Sequence, residues 1–175
     1  MVANTASFRE RTDVLAERPA AGYHGGHYAN LIDGYMAGIT VKQVTQLKVV
    51  VAHVPGSLAR VAEALQKADV NIEGTCHTEG TDETAPFRMI VDKPDEAKKA
   101  IESLGEPVTF EQCLSVQSED DKPGFIARVA RKLGAASINI QAIYHTSSGR
   151  GGSATMYISV DKANLPKALE LLKSL

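Results

Sequence analysis

The sequence predicts an α+β fold of two ferredoxin-like domains in tandem, each an antiparallel sheet with helices on one face. Three observations lead there. A segment recurs: Val54-Pro55-Gly56-Ser57-Leu58-Ala59-Arg60-Val61-Ala62 returns as Lys122-Pro123-Gly124-Phe125-Ile126-Ala127-Arg128-Val129-Ala130, and Asn71-Ile72 returns as Asn139-Ile140. The landmarks keep one spacing, since Gly56 to Gly124 and Asn71 to Asn139 are both 68 residues (124 − 56 and 139 − 71). Two copies at so long a period do not make a solenoid; they are two small domains of one kind. Within each copy the hydrophobic period switches between 2 and 3.6 in the order strand, helix, strand, strand, helix, the pattern of a two-layer sandwich.

Residues 1–43 lie outside the repeat. Ala20-Ala21-Gly22-Tyr23-His24-Gly25-Gly26-His27 has neither period, so this stretch is expected to be a flexible extension. The first domain is placed at 44–111. Leu47, Val49 and Val51 alternate along a strand that His53-Val54-Pro55-Gly56 ends. Leu58, Val61, Ala62 and Leu65 then fall on one helical face. Val70 to His77 is a second strand, Thr78 to Ala85 an acidic turn, and Phe87, Met89 and Val91 line a third strand. Pro94 opens a helix with Ala97, Ala100, Ile101 and Leu104, which Gly105 closes. Val108 to Gln117 holds no turn residue and serves both as the last strand of copy one and the first of copy two.

The second domain, 112–175, repeats the order. Its helix carries Ile126, Val129, Ala130 and Leu133, and a strand runs from Ser137 to His145. After the loop Thr146 to Ser153, Ala154, Met156, Ile158 and Val160 share one strand face, and Leu165, Ala168, Leu169 and Leu172 one helix face. The chain stops at Leu175, so the last strand of the second copy is missing from this reading. The open sheet edge must then be tolerated, covered by the N-terminal segment, or paired in an oligomer, and pairing is the expectation.

Bulk properties narrow the function. The formal net charge of −2 and the absence of a basic run give no electrostatic case for nucleic acid or an anionic membrane. No stretch reaches the roughly 18–20 apolar residues of a membrane span. Met1 to Pro19 carries Glu10, Asp13 and Glu17 and lacks the apolar centre of a secretory signal. Cys76 and Cys113 occupy non-equivalent places and form no CxxC, which fits free thiols in a cytoplasmic protein.

A strand, then Pro-Gly, then an amphipathic helix, then a strand opening with Asn-Ile resembles the ACT domain, in both copies. Pro55-Gly56-Ser57-Leu58 with Asn71-Ile72 is the first instance, and Pro123-Gly124-Phe125-Ile126 with Asn139-Ile140 the second. The arrangement is similar to small proteins made of two ACT domains. The resemblance implies a non-catalytic regulatory module that pairs side by side, as a homodimer or higher homo-oligomer, and binds a free amino acid at the domain interface.

The chemistry of the turns agrees with that implication. Each Pro-Gly leads into a helix N-terminus, whose unpartnered N–H groups and positive dipole end suit a carboxylate. Glycine lets a ligand approach the backbone. The ammonium of an amino acid needs acceptors, and Asp121 stands beside the second turn where His53 stands beside the first. The second turn is therefore expected to be the better site. Candidate ligand residues are Asp121, Lys122, Pro123, Gly124 and Phe125, with His53, Val54, Gly56, Ser57 and Leu58 in the first copy. The strand starts Asn139, Ile140 and Gln141, and Asn71 and Ile72, follow in second rank; there an Asn side chain capping a turn is the simpler role. Both turns also have a plain reading as strand-to-helix connections.

Other chemistries have less support. His77 and His145 are equivalent by repeat and Cys76 adjoins the first, so a zinc or nickel site is conceivable, but no ligand spacing supports it. No nucleophile, base or paired carboxylates have a recognisable pattern, so no enzyme activity and no cofactor are expected. Ser148-Gly149-Arg150-Gly151-Gly152 could cradle a phosphate with Arg150 as charge partner, but it lacks the Gly-Lys-Ser/Thr ending of a phosphate loop; a flexible hairpin loop is the expectation, one that could still act as a lid over a ligand. The alternatives to an amino-acid-binding module are a regulatory subunit docking on an amino-acid biosynthetic enzyme, and a metal-responsive protein.

Overall fold

A computed structural model describes residues 38–77 and 84–175. The expected N-terminal extension, as far as residue 37, and most of the acidic turn lie outside the described residues. The elements are β1 (Ile39–Ala52), α1 (Ser57–Lys67), β2 (Ile72–His77), β3 (Thr84–Val91), α2 (Pro94–Glu102), β4 (Val108–Ser118), α3 (Phe125–Ala135), β5 (Ile140–Ser147), β6 (Ala154–Val160) and α4 (Leu165–Lys173). A 3-10 turn, Lys162–Asn164, precedes α4. All six strands form one antiparallel sheet in the order β2-β3-β1-β4-β6-β5.

The long central strands explain that order. β4 pairs with both β1 and β6, as its lack of turn residues suggested. β1 mirrors it, because it starts at Ile39 rather than Val44 and its first residues pair with the end of β4, from Ile39 opposite Ser118 to Gln43 opposite Leu114. The strand expected to be missing is thus supplied by residues 39–43, and the edge of β4 needs no second molecule to cover it. Ile39 and Val41 pack on the C-terminal core in that position. The boundary between extension and first domain at 43/44 falls inside this strand.

Two hydrophobic clusters lie between sheet and helices. Leu47, Val49, Phe87 and Met89 pack under Val61, Leu65, Ala97 and Ile101, and Leu114, Val116, Met156 and Ile158 under Phe125, Val129, Leu133 and Leu172. Val61, Leu65, Val129 and Leu133 face the sheet as expected, but the first inward position of each helix lies one residue earlier than expected. Ser57, Val61 and Leu65 face the sheet in α1, and Phe125, Val129 and Leu133 in α3. Leu58 and Ile126 turn outward, 44% and 46% exposed. Between the two cores, Gln43 donates to Gln112 and Gln112 to Thr45, both at 3.1 Å, a polar seam on the helix face.

The other sheet face is also partly closed off from solvent. A Cβ placed on Gly74 of β2 would lie 2.6 Å from Cε2 of Tyr157 on β6. Those strands are four positions apart in the sheet, about 19 Å if it were flat. The sheet therefore rolls until its outer strands β2 and β5 approach each other. Inside the roll lie Ile90, Cys113 and Tyr157, with Val44 and Tyr144 against them. Gln46, fully buried, donates to Glu111 at 2.9 Å and accepts from the Tyr144 hydroxyl at 2.9 Å. Burial pushes the Cys113 thiol up to about 12, and it raises the phenols of Tyr144 and Tyr157 as well.

Candidate functional site

Both repeated turns place a glycine at the helix N-cap in the left-handed region, Gly56 at φ 92° and Gly124 at φ 102°. The space around each is open, so it is the backbone angle and not crowding that requires glycine. Neither helix has a side-chain cap. At the second turn Phe125 N–H donates to Lys122 O at 3.3 Å and Arg128 N–H to Gly124 O at 2.9 Å. The amides between them, Ile126 and Ala127, donate to no backbone carbonyl among the described residues. Leu58 and Ala59 have the same position at the first turn.

The second turn forms one wall of a depression of about 580 Å³, in which Asp121 to Ala127 meet His145 and Arg150. His145 arrives from β5, antiparallel to β6, with its ring edge-on to Phe125 at 6.1 Å. Its Nε2 is sealed from solvent and has no hydrogen-bond partner among the described residues. Arg150 arrives on the β5–β6 loop, which is fastened to the turn. Asp121 N–H donates to Gly152 O at 2.7 Å, Gly151 N–H donates to Asp121 O at 2.9 Å, and the Ser147 hydroxyl donates to Oδ2 of Asp121. The Ser147 oxygen in turn accepts from Gly149 N–H at 3.0 Å. Gly149 and Gly151, at φ 100° and 79°, make this fold-back possible.

The first turn has a smaller counterpart of about 290 Å³, where His53 to Leu58 meet His77. His77 is edge-on to Phe87 at 5.9 Å. No acidic or guanidinium side chain lines it. The inequality expected from Asp121 against His53 is therefore present in the geometry of the two depressions.

The structure brings together Asp121, Lys122, Pro123, Gly124 and Phe125, and separately His53, Val54, Gly56, Ser57 and Leu58. It does not bring the strand starts to them. Asn71 and Ile72 lie at the far end of β2 from His77, about 20 Å along a six-residue strand, and line another depression with Asp69, Asp92 and Lys93. Asn139, Ile140 and Gln141 are likewise at the opposite end of β5 from His145. The Asn side chain makes no turn cap at either start. Instead Asn71 pairs through its backbone, donating N–H to Asp92 Oδ1 at 2.9 Å and accepting from Asp92 N–H at 3.2 Å. β2 starts two residues later than expected and β5 three, because Asp69 and Ser137, at φ 53° and 58°, turn the chain first.

The depression also includes His145, Arg150, Ile126 and Ala127, which the sequence reading did not place there. The equivalence of His77 and His145 was visible in the repeat; each stands at or near the end of the strand beside its own turn. Among the described residues, no group of three or more His, Cys, Asp or Glu is placed to hold a metal ion. Also among them, no helix is long and apolar enough to cross a membrane.

No curated protein matches the chain. Solved structures do. Protein BT0572 from Bacteroides thetaiotaomicron is 26% identical with a TM-score of 0.67, over 77% of this chain and 89% of that one. The regulatory subunit of aspartate kinase from Thermus thermophilus, in a ligand-free form, is 17% identical with a TM-score of 0.59, over 79% and 97%. The same subunit from Thermus flavus is 17% identical with a TM-score of 0.58, over 79% and 97%. Residues 114–175 match the family model of the ACT domain, and the described residues share the ACT-like α+β fold of these structures.

Proposed function

We propose that the chain is a non-catalytic regulatory module built from two ACT-type units, and that it binds a free amino acid at the Asp121–Ala127 turn. The observation that carries this reading is the depression at that turn. Among the described residues it gathers two helix amides without backbone partners and, in Asp121, a carboxylate with one oxygen unengaged. Amides at the positive end of a helix suit the α-carboxylate. Asp121 suits the ammonium. The likeness in fold to regulatory subunits of aspartate kinase supports the same class of role.

The division into units at 44–111 and 112–175 rests on the repeat and on the two separate cores, with β1 and β4 each shared. Val54, Leu58 and Ile126, which are 60%, 44% and 46% exposed, stand beside the turns and offer an apolar surface for pairing with a second copy. Thermal shift of the full chain with each of the twenty amino acids, followed by calorimetry, tests the reading. One or a few amino acids should raise Tm, and Gly124→Val should abolish that rise, since a β-branched residue strains at φ 102°. No rise with any amino acid would refute it.

A further inference from the structure

The charges around the Asp121 turn exceed what a neutral zwitterion uses. Its carboxylate and ammonium are matched by the α3 amides and by Asp121. Two groups then remain. Arg150 lines the depression and has no carboxylate within ion-pair distance among the described residues. His145 Nε2 has no hydrogen-bond partner there either. Lys122, the other cation at the turn, is already neutralised by Asp120 at 2.5 Å.

Arg150 is not placed by a slack loop. Residues on both sides of it are tied down, Gly151 and Gly152 to the backbone of Asp121 and Gly149 to the Ser147 hydroxyl that also binds Asp121. The guanidinium and the carboxylate are thus delivered to the same depression by one hydrogen-bonded unit, as opposite ends of a charge pattern. The smaller depression at His53–Leu58 has a histidine in the equivalent place and neither charge.

We infer that the ligand of the Asp121 site is an amino acid with a carboxylate side chain, aspartate or glutamate, and that Arg150 reads that second carboxylate. This rests on the amino-acid reading above and narrows it. An acidic amino acid leaves no charge of the site uncompensated. A neutral one leaves Arg150 without a counter-charge in the site, and a basic one puts like charges together, which selects against it. A planar guanidinium suits a carboxylate through paired N–H donors, so lysine at position 150 is a poor substitute.

Calorimetry of the full chain with aspartate, glutamate, asparagine, glutamine, leucine and lysine tests the inference. Aspartate or glutamate should bind at least tenfold more tightly than its own amide. Arg150→Gln should erase that preference, weakening the acidic ligand at least tenfold while changing the amide less than about twofold. Arg150 is exposed in a loop, and an unchanged Tm of the unliganded variant would show that folding is intact. If neutral or basic amino acids bind as well as acidic ones, or if Arg150→Gln leaves the preference in place, this inference is wrong while amino-acid binding stands. If none of the twenty binds, both readings fall together.

Discussion

The rolled sheet makes Gly74 a position where one methyl group should matter. The Cβ of Gly74→Ala would lie 2.6 Å from Cε2 and 3.1 Å from Cδ2 of Tyr157. Tyr157 is 6% exposed and packs against the Tyr144 ring at 5.1 Å, so it has little room to retreat. Moving it also moves Tyr144, whose hydroxyl holds buried Gln46. Overpacking of this kind costs about 1–3 kcal/mol. Loss of the Tyr144–Gln46 hydrogen bond adds about 0.5–1.5 kcal/mol. Alanine recovers about 0.5–1 kcal/mol over glycine in a strand. The net is about 0.5–4 kcal/mol of destabilisation, centred on ~2 kcal/mol. Urea titration followed by far-UV circular dichroism measures it, and scanning calorimetry should show Tm lowered by about 4 °C per kcal/mol. Tyr157→Leu should cost less in the Gly74→Ala background than alone, a coupling only contact produces. A Gly74→Ala protein within about 0.5 kcal/mol of the parent, or additive effects with Tyr157→Leu, would refute the roll.

Further consequences follow from the same interior and from the shared strands. Tyr144→Phe should cost about 1–3 kcal/mol in urea titration, because it leaves a buried Gln46 oxygen without its donor. At pH 8 a thiol reagent should label half-buried Cys76 in the native protein, and Cys113 only after unfolding, because the Cys113 thiol is pushed up to about 12. That acid holds its proton more tightly folded than unfolded, so stability should fall as pH rises from about 9 towards 12, by up to about 1.4 kcal/mol per pH unit. Cys113→Ala should flatten the slope. Truncation before Val44 strips the half of β1 that pairs with β4, and it should lower Tm and expose a sheet edge that promotes self-association; an unchanged Tm would contradict the role given to residues 39–43.

The repeat made most elements legible, since the Pro-Gly turns, the amphipathic helices and the alternating strands carry local signals. The start of β1 was not. Its helix-face positions read Ile39, Val41, Gln43, Thr45, Leu47 along the strand, and the polar pair sits on the seam between the two cores, so the alternation is legible only after it. The earlier first inward position of α1 and α3 was hidden because Leu58 and Ile126 are as apolar as the residues that pack. The roll of the sheet depends on Gly74 meeting Tyr157 across four strands, a contact with no sequence signature. At the site, residues beside the repeated turn were legible and those delivered by the fold were not. Arg150 and His145 reach it through a hairpin whose loop stood out only as glycine-rich. The Asn-Ile strand starts showed the opposite failure, because the repeat that marked them says nothing about which end of the sheet they occupy.

The central claim is that an amino acid is held by the α3 N-terminus at the Asp121 turn. Amide chemical shifts of the uniformly 15N-labelled chain, titrated with each of the twenty amino acids in turn, test it most directly. The N–H resonances of Ile126 and Ala127 should move downfield in a saturable way as they gain an acceptor, and those of Leu58 and Ala59 should move less. Saturable shifts confined to Asn71, Ile72 or other residues away from the turn, or none at any amide, would contradict it.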